Sequence, residues 1–486
     1  MENFVKALND VLWSTPVIYT CLGVGLLFSI LTRFLQVRHF KDMIKLMFHG
    51  KSSDAGVSSF QALSIALSGR VGTGNIAGTA TAIAMGGPGA VFWMWAIAFI
   101  GASSAFIEST LAQIYKVKQG GIYRGGPAYY IEKGIGKKWF AVLFATSALL
   151  AMSVLMPGIQ SNSIAVGMDN AFGVSKAVTG VFLVLLLGGI IFGGIRRIAT
   201  VAQYVVPFMA LGYILVSLII VGMNVGELPA VFALIFKSAF AADSMFGGIV
   251  GSAIAWGVKR GIYSNEAGQG TGAHAAAAAE VSHPVKQGLV QAFSVYIDTL
   301  FVCSATAFMI LFTGSFNTVG PDGKTFIVEN LPGVAEGPAY TQAAIETALP
   351  GFGAGFVAVS LFFFAFTTIM AYYYIAETNI AYLTKGRDSR LPMFLLKIVI
   401  LGATFYGAVK TANLAWALGD VGLGLMVWIN LIAILLLAKP ALIALKDYEQ
   451  QKKQGLDPVF NSTKLGIKNA EYWEQEYSVE SKKEVS

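Results

Sequence analysis

The chain is short of charge. Only 13% of its 486 residues are Asp, Glu, Lys or Arg, against 55% hydrophobic, and mean hydropathy is +0.65. A soluble globular domain carries about 25% charged residues, so a water-facing surface wrapped around one core is excluded. Cysteine is nearly absent. Cys21 and Cys303 both sit in apolar runs, which excludes a disulfide framework and makes them small buried hydrophobes. The four histidines, His39, His49, His274 and His283, are too dispersed for a metal site, and only His274 is expected inside a bundle. The net charge of +7 lies in short loops without interleaved aromatics, so it speaks for topology and against nucleic-acid binding. No Walker lysine motif and no nucleophilic triad appears, and the chain does not read as an enzyme; no cofactor is implied. Gly72-x-Gly74-x-x-Ala77 fits a dinucleotide fingerprint, but that motif needs a preceding strand in a βαβ unit and none is available here.

What the chain has is long apolar runs. Eleven segments are long enough to cross a bilayer as helices: 11–34, 57–85, 88–115, 139–170, 175–195, 198–222, 245–280, 284–315, 351–383, 392–411 and 413–438. They lack the short alternating pattern of a transmembrane barrel. The expected class is an all-α polytopic membrane protein, with an amphipathic stretch at 38–49 along the membrane surface. The first apolar run lacks a basic n-region and reads as a retained helix, not a cleaved signal. Basic residues accumulate on the cytoplasmic side. Arg33, Arg38 and Lys41 follow the first segment, Lys116, Arg124 and Lys133 the third, Arg196 and Arg197 the fifth, Lys286 the seventh, and Lys385 and Arg387 the ninth. Every odd segment thus exits into a basic loop. The expectation is a multi-pass protein of the cell membrane, N-terminus outside and C-terminus cytoplasmic.

One phrase occurs twice: Arg70-x-x-x-x-Asn75-x-Ala77-Gly78 and Arg260-x-x-x-x-Asn265-x-Ala267-Gly268. The copies fall in the second and seventh segments, in matching places of two units of five. Five is odd, so the second unit starts from the opposite side of the membrane. The layout expected is an extra N-terminal helix with its connector (1–56), a first five-helix repeat (57–225), an inverted second repeat (226–440) and a cytoplasmic tail (441–486), with two discontinuous helices.

Each copy is rich in Gly, Ser and Thr, which lets the backbone leave the helix. In lipid the freed N–H and C=O groups cost several kcal/mol each, so such a break must face protein or a cavity. There its N–H groups favour an anion and the carbonyls before it a cation. Counting helix rise from the segment starts places Arg70, Asn75 and Asp298 within the bilayer, where ionisable groups are functional candidates. Arg70, Lys259, Arg260, Glu266 and Asp298 read as gating, coupling or structural pairing, with direct ligand contact the alternative. Glu108 and Glu377 are expected near segment ends, snorkelling or pairing at a gate. Thr367 and Thr368 stand side by side in an apolar helix, either bonded to their own i−4 carbonyls or open to a hard cation. Gln160 places an amide in a largely apolar stretch.

These residues resemble the alanine/glycine:cation symporter family, also called sodium:alanine symporters. The resemblance runs over about 10–440 and is most specific at Gly86-Gly-Pro-Gly-Ala-Val-Phe-Trp-Met-Trp95, Arg124-Gly-Gly-Pro-Ala-Tyr-Tyr130 and Arg260-Gly-Ile-Tyr-Ser-Asn-Glu-Ala-Gly268. It implies import of a small neutral amino acid with sodium or protons by alternating access; alanine or glycine is favoured, with glutamine a further candidate. It implies substrate contact at Thr73, Gly74, Asn75, Gln160, Ile164, Gly261, Ser264 and Tyr372. By analogy with the wider fold it implies a sodium site of Val71, Gly74, Thr367 and Thr368. Family members often carry Trp just after the Thr pair, where this chain has Ala371-Tyr372, which leaves substrate choice open. The rival reading is an ion or small-solute channel, since broken helices also line selectivity filters. Identical subunits ringing a pore would be usual there, against the repeat found within one chain.

Overall fold

The computed structural model describes residues 2–240, 245–385, 387 and 389–477. It is built almost wholly of helices, with two small antiparallel hairpins, Val117–Gln119 with Ile122–Arg124 and Asn317–Val319 with Phe326–Glu329. Among the described residues, eight helices are long and apolar enough to cross a membrane. The other three expected segments are helical but do not qualify. Lys176–Ile191 has 16 residues. The two that carry the repeated phrase are split, into Ser59–Arg70 and Thr79–Gly86, and into Val250–Asn265 and Thr271–Ala277.

The fold inverts the burial rule of a soluble protein. Leu185, Phe208 and Leu391 on outer helices are 70%, 75% and 66% exposed, while Arg70, Asn75, Glu108 and Asp298 are at most 1% exposed. An apolar surface on this scale suits lipid, and the polar side chains are gathered where protein, not lipid, surrounds them.

Several elements depart from expectation. The fourth segment is interrupted by a π-helical turn, Ala151–Leu155, just before Pro157, whose missing N–H is tolerated where a helix restarts. Helices Leu228–Ala239 and Pro338–Ala348 are 12 and 11 residues long, too short to register as spans, and each carries Pro in its first turn. The boundary set at 440 falls inside one helix, Ala412–Lys453. The chain beyond it folds back on the bundle: Phe460 N–H donates to Ser282 O at 2.9 Å, Asn469 Nδ2 to Lys133 O at 2.9 Å and Trp473 Nε1 to Gln113 O at 2.8 Å. Although charged residues are frequent in it, Phe460, Tyr472 and Trp473 are buried, and Lys116 Nζ sits 4.2 Å from the Tyr123 ring centre and 4.5 Å from that of Tyr472.

The surface stretch at 38–49 is helical over Phe40–Met47 and is tied to the long terminal helix. Arg38 and His39 meet Glu449 at 2.8 and 2.9 Å, and Asp42 pairs with Lys452. Burial pushes the Asp42 carboxyl up, but hydrogen bonds from Lys452 and His39 outweigh it and hold the group below the usual carboxylate range. His283, not only His274, is fully buried; it accepts from Val285 N–H at 3.2 Å, starting its helix.

Candidate functional site

The first helix of the split pair stops at Arg70, and Val71 to Thr73 lead into a π-helical turn, Gly74–Gly78. The backbone groups released here are met by side chains. Gly72 N–H donates to Asn75 Oδ1 at 2.8 Å, and Thr73 N–H to Gln160 Oε1 at 3.1 Å. Glycine at 72 is required by space: a Cβ there would lie 2.4 Å from Thr368 Oγ1 and 3.2 Å from Gln160 Oε1. The first break is thus seated between the Lys138–Phe172 helix, through Gln160, and the Gly353–Thr384 helix, through Thr368.

The second break spans Glu266 to Gly270. Glu266 itself takes a left-handed backbone, φ 57°, a conformation uncommon outside Gly, Asn and Asp. Ala267 N–H donates to Asn265 Oδ1 at 3.0 Å, and Gly270 N–H to Glu108 Oε2 at 3.1 Å. Asn430 of the long terminal helix donates to Gly268 O at 2.9 Å and to Glu108 Oε2 at 2.8 Å, and accepts from Tyr130 OH. The freed backbone is again satisfied by buried side chains, as a break within a membrane demands.

The two breaks face each other and run antiparallel. A Cβ added at Gly69 would meet Glu266 Oε2 at 3.3 Å, at Gly74 it would meet Ser264 Cα at 3.2 Å, at Gly78 Arg260 Cδ at 3.8 Å, and at Gly86 Ala253 Cα at 3.0 Å. Both repeated asparagines reach one place, a π-helical bulge, Ile297–Cys303, in the Pro284–Thr313 helix. Asn75 Nδ2 donates to Asp298 Oδ1 at 2.6 Å, and Asn265 Nδ2 to Thr299 Oγ1 at 3.3 Å. Ser264 Oγ adds a bond to Asp298 Oδ1 at 3.0 Å and Thr299 Oγ1 one to Asp298 Oδ2 at 2.7 Å. π-Bulges recur at functional sites because the extra residue re-aims side chains. Asp298 becomes a carboxylate with three donors, held between both breaks.

Most of the expected site residues converge here. Gln160 Nε2 donates to Tyr263 OH at 3.1 Å and Tyr372 OH at 3.2 Å, so one amide links the first break, the second broken segment and the Gly353–Thr384 helix. Ile164 is buried one turn further along the helix of Gln160. Thr367 Oγ1 donates to Phe363 O and Phe364 O, both at 3.0 Å, and Thr368 Oγ1 to Phe364 O at 2.9 Å. Their hydrogens are spent on their own helix, and their lone pairs are left to accept. Thr73, Asn75, Ser264, Asp298, Thr367 and Thr368 are all fully buried, so the junction is sealed in this conformation.

Three residues fall elsewhere. Gly261 turns to the Gly89–Ile114 helix, where a Cβ would strike Ile97 Cγ2 at 2.5 Å; it is a packing glycine. Arg260 points away from the junction into a bidentate pair with Asp420, at 3.0 and 3.2 Å. Lys259 joins the same carboxylate at 2.6 Å, Trp13 Nε1 donates to Asp420 O at 2.9 Å, and the Arg260 guanidinium lies 4.4 Å from the Trp416 ring centre. Glu108 does not snorkel: it is fully buried at the second break, whereas Glu377 does pair, with Arg124 at 3.0 Å. Sequence reasoning missed Asp420, Trp416, Asn430 and Thr299. Asp420 and Asn430 are lone polar residues in the last apolar run, and that isolation was the signal available.

A model of the sodium:alanine symporter family matches residues 1–462. A Bacillus subtilis (strain 168) protein described as a putative sodium/proton-dependent alanine carrier is 77% identical, covering 99% of this chain and 100% of its own length. The sodium/proton-dependent alanine carrier protein of Bacillus sp. (strain PS3) is 60% identical over 90% of this chain and 98% of its own. A probable sodium/glutamine symporter of Bacillus subtilis (strain 168) is 45% identical over 95% of this chain and 93% of its own.

Proposed function

The chain belongs to the sodium:alanine symporter family, and from that membership we propose that it is a multi-pass membrane symporter that imports a small neutral amino acid together with sodium. Alanine is the first cargo, after the two relatives described as alanine carriers. Glycine differs from it by one methyl group, and glutamine is the cargo in the description of the 45% relative. The observation that carries the reading is the meeting of two antiparallel broken helices at one buried carboxylate, Asp298, through Asn75 and Ser264.

In this reading eleven segments cross the membrane, 57–225 and 226–440 are inverted repeats, the N-terminus is outside and 441–486 is cytoplasmic. The antiparallel contact of the two split segments supports it. The amino-acid carboxylate docks on the N–H groups at Thr73 and Gly74, where the π-turn opens, and takes over the Thr73 N–H that Gln160 Oε1 accepts in the sealed conformation. Gln160, Asn75, Ser264 and Tyr372 supply its polar contacts, and Ile164 an apolar wall. Sodium sits with the carbonyls of Val71 and Gly74 and the free lone pairs of Thr367 and Thr368. Oxygen donors of this kind suit a hard cation. The ion therefore ties the first break to the Gly353–Thr384 helix and offsets the cargo's carboxylate. Closure by the Lys259–Arg260–Asp420 cluster on one side, and rearrangement around Arg70 and Glu266 on the other, give each face of the membrane its turn. One sodium crossing with the potential contributes about 2.3 kcal/mol per 100 mV, beyond its own gradient. The test is uptake of labelled alanine, glycine and glutamine into proteoliposomes. Saturable, sodium-dependent alanine accumulation is expected. Flux without saturation, or none for any of the three, would overturn the proposal.

A further inference from the structure

Beside the first break the buried charges do not balance. Arg70, 1% exposed, lies within electrostatic reach of three carboxylates, those of Glu266, Glu108 and Asp298. No nitrogen of its guanidinium comes within 4.0 Å of an oxygen of any of the three. Its Nη1 donates to Gln291 O at 3.1 Å and to Ser294 Oγ, while Nε and Nη2 have no partner. One guanidinium offsets one carboxylate. Three ionised carboxylates around it would leave two uncompensated charges in a bilayer interior, where even one costs several kcal/mol.

The three acids are not equivalent. Asp298 receives donors from Asn75, Ser264 and Thr299, which stabilise it as an anion. Glu266 Oε2 receives Thr271 Oγ1 at 2.7 Å. Glu108 differs. Both of its donors, Gly270 N–H and Asn430 Nδ2, fall on Oε2, and Oε1 is fully buried with no partner. The charged and titratable groups that face Glu108 are Arg70, Glu266 and Tyr130. The Tyr130 hydroxyl is spent on Asn430 Oδ1, and the His274 ring is engaged with Gly270 O, Thr271 O and Asn379.

We propose that Glu108 is a proton-binding site, with the proton on Oε1, and that the second break controls its occupancy. The imbalance then narrows: with Glu108 neutral, Arg70 faces two ionised carboxylates, Glu266 and Asp298, and one uncompensated charge remains in place of two. Coupling follows from covalent connectivity, because one of the two donors to Glu108 is the backbone N–H of Gly270, inside the break. A movement that withdraws that N–H changes how well Glu108 holds its proton, and the proton in turn biases the break. This deepens the transport reading and rests on it for its purpose, but not for its measurement.

The experiment is infrared difference spectroscopy of the purified full chain in lipid, titrated with pH in H2O and D2O. A deuterium-sensitive C=O band of a protonated carboxyl is expected near neutral pH. It should be lost in Glu108→Gln and retained in Glu266→Gln and Asp298→Asn. If Glu108→Gln does not fold, Glu108→Asp keeps the carboxyl and should shift the band instead of removing it. A band unchanged in both Glu108 variants, or absent from the native chain, overturns the proposal. Failure of alanine uptake by the native protein would sink the transport reading and leave the infrared result standing, so the two failures are distinguishable.

Discussion

Position 72 has no room for a methyl group. A Cβ would overlap Thr368 Oγ1 at 2.4 Å, so Gly72→Ala must push the first break off the Gly353–Thr384 helix. Overpacking of this kind costs about 1–3 kcal/mol. The expected result is a lower thermal midpoint in detergent and loss of alanine uptake. Adding Thr368→Ala should recover the midpoint while the sodium requirement stays raised, because the hydroxyl proposed to hold sodium is gone. A Gly72→Ala protein with native stability and uptake would contradict this packing. At the same scale the sequence was readable where one polar residue stood alone in an apolar run. Asp298 announced itself this way, whereas Asn75 stood out through the repeated phrase and Gln160 as an amide in a largely apolar segment; each makes bonds that define the junction. It was unreadable at Gly261, because a packing glycine and a binding glycine look alike without the neighbour that fills the space. Glu108 was expected to snorkel or pair for a related reason: position along a helix does not tell which neighbours bury a side chain.

Among elements, the Val250–Asn265 helix and the long terminal helix are joined by an asymmetric cluster, two cations on one carboxylate. Removing Asp420 strands both Lys259 and Arg260, whereas removing Arg260 leaves Asp420 paired with Lys259 at 2.6 Å. Loss of a buried partner that leaves a charge uncompensated costs about 3–5 kcal/mol. Asp420→Ala should therefore lower the thermal midpoint clearly more than Arg260→Ala. Equal shifts would show that the cluster contributes little to holding these helices. The existence of the broken segments was legible because their composition, Gly, Ser and Thr amid apolar residues, contradicts a continuous membrane helix. The π-helical turns at Ala151–Leu155 and Ile297–Cys303 were not. One inserted residue leaves no mark on hydropathy, and only the packing of Asn75 and Asn265 on adjacent residues of the second turn shows why it is there.

For the molecule as a whole, the arrangement of basic loops predicts which side each end occupies. A fluorescent protein fused at the C-terminus should fold and fluoresce in a bacterial host, and a phosphatase that works only outside the cell should be inactive there; the opposite pair of results would invert the proposed topology. The helical course of the chain followed from hydropathy, but the return of residues 454–477 onto the bundle did not, because a few aromatics spaced among charges give no periodic signal. The antiparallel contact of the two broken segments has a mechanical meaning as well. Gly74 and Gly86 bring backbone close to Ser264 Cα and Ala253 Cα of the opposite segment, whereas Gly69 and Gly78 face the side chains of Glu266 and Arg260. Most helix pairs interlock, so that sliding one past the other means lifting side chains out of their pockets. At Gly74 and Gly86 the seam has fewer such teeth, so a shift of one broken segment along the other would meet least resistance there and most at the Glu266 and Arg260 side chains.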